Sequence, residues 1–488
     1  MKKLLKINEK DNVAVALCDI EKGYCEASVT ALENIPCAHK ILLCDLKQGE
    51  NVIKYGSVIG HITEDTPAGS YVHEHNLKTN LTESFTYSFN GNNDYSPKKP
   101  DKTVKAYRRS SGNIGIRNEL WIIPTVGCVN KTAEQLEKIG NELNSVCDGV
   151  FALTHPYGCS QMGNDQENTR KILASLINHP NAGGVLVVSL GCENTNVNVL
   201  KDYLGSYDEN RMKFLVCQEV SDELETGKEY IGELLETMKN DIREDVGINE
   251  LKIGLKCGGS DAFSGITANP LCGIVTDYFT DNGATVILSE VPEMFGAEQL
   301  LMNRSLDKRI FERQVNMINS FKNYYAEHNQ ICYENPSPGN HKGGITTLEE
   351  KSLGCIQKGG RSVVCDVLEY GETAENAGLN LLTGPGNDIV STTNLVCSGA
   401  HIILFTSGRG TPLGAAVPTV KISSNTKLFA SKPGWNDFNA GEIINGKSFD
   451  LLSEELIGLI IETANGKKTK NELNAYREIA IFKDGVTL

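Results

Sequence analysis

The sequence predicts an α/β protein built on parallel sheets, with a small all-β region in front. Three observations predict this. Apolar runs at Leu120 to Val126, Gly149 to Thr154, Gly184 to Leu190 and Leu251 to Leu255 alternate with helical patterns, as βαβ units do. Each run finishes in a glycine-associated cysteine: Cys128, Cys159, Cys192 and Cys257. Ahead of them, short apolar segments are punctuated by Gly49, Gly56, Gly60 and Gly69, which suits a chain of short strands and turns.

Residues 1–88 form the first unit. Val13 to Leu17 and His39 to Leu43 read as strands, and the unit closes on Tyr71-Val72-His73-Glu74-His75-Asn76. Period-two alternation places His73 and His75 on one strand face. Such a pair serves a metal, a proton transfer or simply a polar face beside solvent. Residues 89–103 read as an extended, mobile linker, because FNGNNDYSPKKPDK is almost devoid of apolar residues. The second unit, 104–248, opens on a basic, glycine-rich entry containing Arg108, Arg109 and Arg117. Its arginines suit bidentate contact with carboxylates, or lie solvated in a surface loop. Helical patterns follow at Thr132 to Leu143, Asp165 to Ile177, Asn196 to Leu204 and Asp222 to Asp241. The third unit, 249–488, begins at Leu251. Gly283 to Leu288, Ser362 to Val367, His401 to Phe405 and Val417 to Ile422 read as strands. Leu306 to His328 reads as a long helix, and Tyr476 to Leu488 as a final strand.

At 488 residues the chain exceeds what one core supports. Its 40% hydrophobic and 22% charged residues are ordinary for a soluble globular protein. A net charge of −15 disfavours nucleic acid and membrane surfaces as partners. No apolar run is long enough to span a bilayer, and MKKLLKINEKDN lacks a signal-peptide core, so a cytoplasmic location is expected. In a reducing compartment the 15 cysteines are thiols. No CxxC, no GxxxxGK[ST] and no GxGxxG after the first strand occurs, which argues against zinc ribbons, P-loops and dinucleotide sites.

Chemistry concentrates at Lys256-Cys257-Gly258-Gly259-Ser260-Asp261. An ammonium, a thiol, a hydroxyl and a carboxylate follow one another at the carboxyl end of a strand, where open α/β sheets bind ligands. The glycines let backbone N–H groups approach a ligand closely. Thr406 to Pro412 is a similar turn, with Arg409 as its fixed charge. A single strand-end cysteine is commonly a small core residue. Four at matching positions place their thiols on one edge if their strands share a sheet.

Ten segments in this order are similar to those of the altronate/galactarate dehydratase family of sugar-acid dehydratases. They are IKYGSVIGHIT, AGSYVHEHNLKTNL, RRSSGNIGIRN, TVGC, HPYGCSQ, SLGCEN, GLKCGGSDAFSGITANP, GRGTPLGAAVPTVKISSN, KPGWNDFNAGEI and REIAIFKDGVTL. The resemblance covers nearly the whole length. It implies a β-clip (SAF-like) N-terminal domain joined to Rossmann-like α/β domains, and a homodimer with 104–248 as its interface. It further implies dehydration of an aldonate, altronate ahead of galactarate, to a 2-keto-3-deoxy acid with Fe2+ (or Mn2+). One departure is Ser111-Gly112, where the family often carries a DG-like pair.

Removing a proton alpha to a carboxylate needs a cation, a base and an acid for the departing hydroxyl. Cys159, Cys192 and Cys257 are the candidate metal ligands, with Glu290 as a carboxylate and Cys128 as a further thiol. Thiolate suits iron. An iron–sulfur cluster on three cysteines is the alternative cofactor. His155, His73, His75 and Lys256 are the candidate acid and base. Arg117, Gly258, Gly259, Ser260 and Arg409 are the candidates for holding the substrate. The rival from another class is a sugar-acid-binding regulator, which needs neither thiols nor metal. A narrower rival is a lyase that removes sulfite from sulfolactate.

Overall fold

Short antiparallel strands open the chain. The structure is a computed structural model that describes residues 2–26, 28–81, 86–332 and 335–487. One sheet takes Leu4–Leu5, Val13–Ala16, Lys40–Leu42 and Tyr71–Val72 in that order; another takes Asn51–Lys54, Ser57–Ile62 and Leu77–Lys78. Strands this short cannot bury a sufficient core alone. Accordingly Leu42, Val52, Ile59 and Val72 join one apolar cluster with Leu255, Phe295 and Leu348 from the later chain. The expected strand face carrying His73 and His75 is absent. The strand stops at Val72, and His73 to Asn76 form a turn in which the His73 N–H donates to Asn76 Oδ1 at 3.0 Å.

Charge as well as apolar contact fastens this region. Lys40 and Lys54, both fully buried, converge on the carboxylate of Glu350 at 2.8 and 2.7 Å. Lys40 Nζ also donates to the Gly344 carbonyl at 3.0 Å and to Thr346 Oγ1 at 2.7 Å. Burial pulls the Lys40 ammonium down to about 8, with Glu350 opposing and Lys54 adding to the fall. Burial works against the charge of Glu350, but the two lysines outweigh it and hold it at about 2.

The segment expected to be a mobile linker instead lies as a strap on the third unit. Asn93 N–H donates to the Leu306 carbonyl, Asn93 Nδ2 to the Ser305 carbonyl and Tyr95 OH to the Thr280 carbonyl. Phe89 packs 5.4 Å from the Phe311 ring. Its few aromatics supply the anchorage that its polar composition hides. Beyond it, Thr103–Arg108 pairs antiparallel with Arg243–Gly247, a contact 140 residues apart that no local pattern announces.

The second unit holds a parallel sheet in the order Val150–Ala152, Glu119–Pro124, Ala182–Ser189, Met212–Val216. Helices Asn130–Leu143 and Glu223–Met238 bury Leu136, Ile231 and Leu234 on one side. Helices Asn164–Ile177 and Val197–Leu204 bury Ile172 and Leu200 on the other, in a cluster shared with Leu395 and Phe405 of the third unit. Asn196 and Asp222 start their helices as caps, each side chain accepting from two backbone N–H groups.

The third unit is a seven-stranded, all-parallel sheet. Its order is Val364–Leu368, Gly378–Leu382, Thr285–Leu288, Lys252–Cys257, Ile402–Ser407, Thr419–Ser423, Phe438–Asn439. The chain leaves Lys252–Cys257 to build outward on one side and returns to build on the other. That reversal is a topological switch point, the place where such sheets open a ligand crevice. The tail expected as a final strand runs irregularly instead. It is held by Arg477 on Glu119, by Asp165 accepting from Asp484 and Gly485 N–H groups, and by one bridge, Gln161 to Thr487.

Removing the Glu350 carboxylate leaves two ammoniums buried without a counter-charge. Glu350→Ala is expected to lose about 3–5 kcal/mol of stability, read by chemical denaturation, with faster proteolysis inside residues 1–80. An unchanged midpoint would show that the pairing does not fasten this region.

Candidate active site

Four donor atoms meet at the switch point. Cys257 ends the central strand. Glu290 follows the neighbouring strand in a left-handed conformation (φ 76°), which is costly for a residue with a side chain. It opens the turn Val291–Met294, which carries Glu293. Cys355 closes the helix Leu348–Cys355. Cys257 Sγ lies 3.1 Å from Glu293 Oε2 and 3.6 Å from Cys355 Sγ, and Cys355 Sγ lies 3.3 Å from Glu293 Oε2. Glu290 accepts from the Cys257 N–H at 3.0 Å. All four donors lie within 4.8 Å of one another, and all four residues are buried.

Three lysines balance this cluster. Lys256 Nζ reaches Glu290 at 2.5 Å and Asp388 at 3.0 Å. Lys358 Nζ reaches Glu290 at 3.2 Å and Cys355 Sγ at 2.9 Å; Lys351 Nζ reaches Glu293 at 2.8 Å. Burial, with the charge of Glu293, raises the Glu290 carboxyl. Burial opposes the charge of Glu293 too, but Lys351, Lys256 and Lys358 outweigh it and hold that carboxyl low. A hydrogen bond to Cys257 and burial push the Cys355 thiol up. Two sulfurs and two carboxylates packed this closely suit one divalent transition metal such as iron, so the residues present fit the expected cofactor.

A cavity of about 600 Å³ opens on this cluster, lined by Cys257, Gly258, Gly259, Ser260, Glu293, Lys351, Asp388 and Glu478. Gly258 is required there, because a Cβ would stand 2.6 Å from Asp388 Oδ2. Asp261 fixes the turn, accepting from Ser264 N–H at 2.9 Å, Ser424 Oγ at 2.7 Å and Asn425 Nδ2 at 3.0 Å. A second cavity, of about 620 Å³, lies at the amino ends of the same strands beside Lys252, Thr285 and His401. It contains none of the cluster residues, and its position is not the one parallel sheets use for ligands.

The sequence-predicted residues separate into three places. Cys257, Glu290, Gly258, Gly259 and Ser260 come together here, with Arg409 exposed at the rim, its N–H donating to the Gly259 carbonyl. Lys256 is here too, but not as a base: burial opposes its charge, while Glu290, Asp388 and Glu293 outweigh it and keep it an ammonium. Cys159 and Cys192 do not join Cys257, because their strands belong to the four-stranded sheet; they lie beside Asn194 and Gln218. His155 stands there as well, with Nε2 2.8 Å from the Pro124 carbonyl and Nδ1 3.2 Å from the Tyr157 N–H. Both ring nitrogens are occupied, and burial lowers its pKa to about 4. Arg117 is a structural pin: it pairs with Glu472 at 2.7 and 3.0 Å and donates to the Ile116, Thr463 and Lys467 carbonyls. His73 sits at the seam of the first and third units, 2.8 Å from Thr346 Oγ1, with Glu74 and His341 beside it. His75 is exposed, its ring 5.3 Å from that of Tyr71 and tilted against it by 47°.

Glu293, Cys355, Lys351 and Lys358 were not among the residues singled out by pattern. One signal for Cys355 was available: Ser-Leu-Gly-Cys occurs at 189–192 and again at 352–355.

Comparison with known proteins bears on this site. A family model described as D-galactarate/altronate dehydratase, C-terminal, matches residues 248–487. Models for the second domain of D-galactarate dehydratase/altronate hydrolase and for the altronate/galactarate dehydratase SAF domain match residues 106–239 and 2–80. The altronate dehydratase of Escherichia coli (strain K12) is 52% identical over 99% of each chain. The chain belongs to the altronate/galactarate dehydratase family. Another altronate dehydratase, from Bacillus subtilis (strain 168), is 49% identical over 100% of both chains. A galactarate dehydratase (L-threo-forming) of Escherichia coli (strain K12) is 31% identical over 98% of this chain and 96% of its own. Within this family chain, the N-terminal sheets are the SAF domain, and the buried cluster falls in the C-terminal match.

Burial of His155 makes stability depend on pH. Folded His155 refuses its proton down to about pH 4, whereas an unfolded histidine accepts one near 6.5. Unfolding therefore binds a proton between those values, so this contribution is intact above about pH 6.5 and is lost as pH falls toward 4. His155→Gln is expected to lower the melting temperature by several degrees and flatten that acid limb, with turnover per folded chain retained. A loss of turnover without loss of stability would return His155 to the chemistry.

Proposed function

We propose that the chain is a hydro-lyase that dehydrates D-altronate to 2-dehydro-3-deoxy-D-gluconate. The observation that carries this reading is the buried cluster of two thiols and two carboxylates on a cavity floor, in a chain 52% identical to an altronate dehydratase. The carbon next to a carboxylate is a very weak acid, because its conjugate base places a second negative charge on that group. A divalent ion held by Cys257, Glu290, Glu293 and Cys355, Fe2+ or Mn2+, supplies Lewis acidity against that charge. One ion fits better than an iron–sulfur cluster at this place, because the donors lie within 4.8 Å of one another.

The remaining work falls to the chain. The Gly258–Ser260 turn lines the cavity; the Gly258 N–H is spent on the Thr406 carbonyl at 3.0 Å, and the N–H groups of Gly259 and Ser260 are the donors offered to the substrate carboxylate, each adding roughly 3 kcal/mol in a fixed position. Asp388, held by Lys256 at 3.0 Å on the cavity wall, takes the alpha proton. The proton then passes from Asp388 to the departing C3 hydroxyl, which Lys351 holds by a hydrogen bond, so that it leaves as water, and the enol released from the site tautomerises to the ketone. Arg409 meets the far hydroxyls at the rim. Each proton transfer is worth about 10²–10⁴-fold.

The reading treats 1–88, 104–248 and 249–488 as working units, and three separate family matches support that division. A reducing, cytoplasmic setting is part of it, supported by Cys257, Cys272, Cys355, Cys365 and Cys397, which are buried thiols outside any disulfide. A homodimer is part of it through the family resemblance.

A panel of hexonates and hexarates, with ferrous ion and thiol, tests the substrate. Altronate is expected to lead and galactarate to trail; no 2-keto-3-deoxy product from altronate would overturn the reading. Cys257→Ala and Cys355→Ala are expected to lose bound iron and more than about 10²-fold in kcat, the scale of losing Lewis-acid assistance. Asp388→Asn is expected to keep its iron and lose about 10²–10⁴-fold in kcat. Full turnover in Asp388→Asn would remove that residue from the role of base.

A further inference from the structure

Three of the four strand-end cysteines have no part in the site described above, yet the fold gathers them. Cys128, Cys159 and Cys192 follow Glu119–Pro124, Val150–Ala152 and Ala182–Ser189, three adjacent parallel strands with Glu119–Pro124 in the middle. Parallel neighbours stand about 4.8 Å apart, so the outer two strand ends are only about 10 Å apart. All three cysteines leave the same edge of one sheet.

The loops that carry them are stitched together. The Gly127 N–H donates to the Tyr157 carbonyl at 2.9 Å, and the Thr195 N–H donates to the Gly158 carbonyl at 3.1 Å. Gly158 lies so close to the first loop that a Cβ would stand 1.9 Å from the Thr125 carbonyl oxygen. Asn194 Oδ1 accepts from the Ser160 N–H at 3.0 Å and lies 3.4 Å from Cys159 Sγ. Glu193, buried, accepts from Thr125 Oγ1, Ser189 Oγ and the Gly191 N–H, which ties the first loop to the third. Ser160, next to Cys159, adopts a left-handed backbone (φ 57°), strain that this edge accepts.

Unpartnered polar atoms occur on the segments that follow these cysteines. Nine buried side-chain nitrogens or oxygens among the described residues lack a hydrogen-bond partner. Four of them belong to Asn130, Gln166, Arg170 and Thr195, which follow Cys128, Cys159 and Cys192 along the chain. Thr195 is wholly buried, and an orphaned buried hydroxyl is uncommon without a ligand or ordered water. Cys128 also sits in the turn that leads into the helix Asn130–Leu143.

We propose that Cys128, Cys159 and Cys192 anchor an iron–sulfur cluster, a second metal centre separate from the cavity site. Spacing selects a cluster over a single ion. One tetrahedral ion with bonds of about 2.3 Å holds its thiolates about 3.8 Å apart. Among the described residues these three thiols do not form a group within 4.8 Å. A cluster carries each thiolate on a different iron and so bridges a wider gap. Three protein thiolates leave the fourth iron open to water or to an oxygen ligand. Loading is a ligand exchange with no change of oxidation state. Three iron–thiolate bonds to a small-thiol donor break, three bonds to cysteine sulfur form, and three protons pass from the cysteines to the released thiolates. The inference rests on the four-stranded sheet alone and stands whether or not the cavity site acts on altronate.

The test incubates the full chain under argon with a preformed [4Fe–4S] cluster carrying small thiolate ligands, followed by gel filtration. Wild type is expected to retain about four irons and four acid-labile sulfides per chain, with the broad sulfur-to-iron absorbance. Cys128→Ser, Cys159→Ser and Cys192→Ser are each expected to retain at least tenfold less, while melting as wild type does in the unloaded form. Cys257→Ser is expected to retain the cluster fully. Absence of labile sulfide in wild type would overturn the proposal. So would full retention in the three variants, or loss in Cys257→Ser alone.

Discussion

Buried charge has to be met by buried charge, and one short helix meets it on both of its sides. Leu348–Cys355 carries Glu349 and Glu350 toward the N-terminal sheets, where Thr79, Lys40 and Lys54 hold them. The same helix carries Lys351 and Cys355 into the cluster around Glu293. Breaking such a pair by removing one partner is expensive, because the other charge is left without water or counter-ion. The helix therefore cannot shift toward either side without exposing a charge on the other. Docking of the SAF domain and placement of Cys355 are thus one mechanical event, linked through eight residues.

The cluster also sets the charge at the switch point. A parallel sheet leaves its strand ends open, and glycines at 258 and 259 keep the turn low enough for a ligand to approach. Two glutamates and two thiols next to that opening would repel one another as anions. Lys256, Lys351 and Lys358 offset them at distances from 2.5 to 3.2 Å. Burial opposes the charge of these three lysines, and their anionic neighbours outweigh it, so all three stay ammoniums.

Much of this architecture was legible in the sequence. Strand, break and helix around Cys257 could be read because apolar runs and glycines are local signals, and Asn196 and Asp222 were legible as starts because caps are local too. What is not local was lost. Cys159, Cys192 and Cys257 look alike in sequence, but only pairing decides which strands share a sheet, and that separates the first two from the third. Glu293 and Cys355 lie on turns and helix ends more than 60 residues apart, with no period to connect them. His155 and Arg117 have the residue types of chemistry, yet carbonyl oxygens and Glu472 occupy them. The tail alternates as a strand does because Ile479 and Ile481 pack into the second apolar cluster, without a partner strand to complete the pattern.

Cys257, Glu290, Glu293 and Cys355 are the proposed ligands of one metal ion. Crystals of active protein grown without oxygen, with diffraction recorded on both sides of the iron absorption edge, test this assignment most directly. An anomalous peak is expected between those four side chains, on the floor of the cavity lined by Gly258 and Asp388. Active, iron-loaded crystals with no peak between those side chains would contradict it.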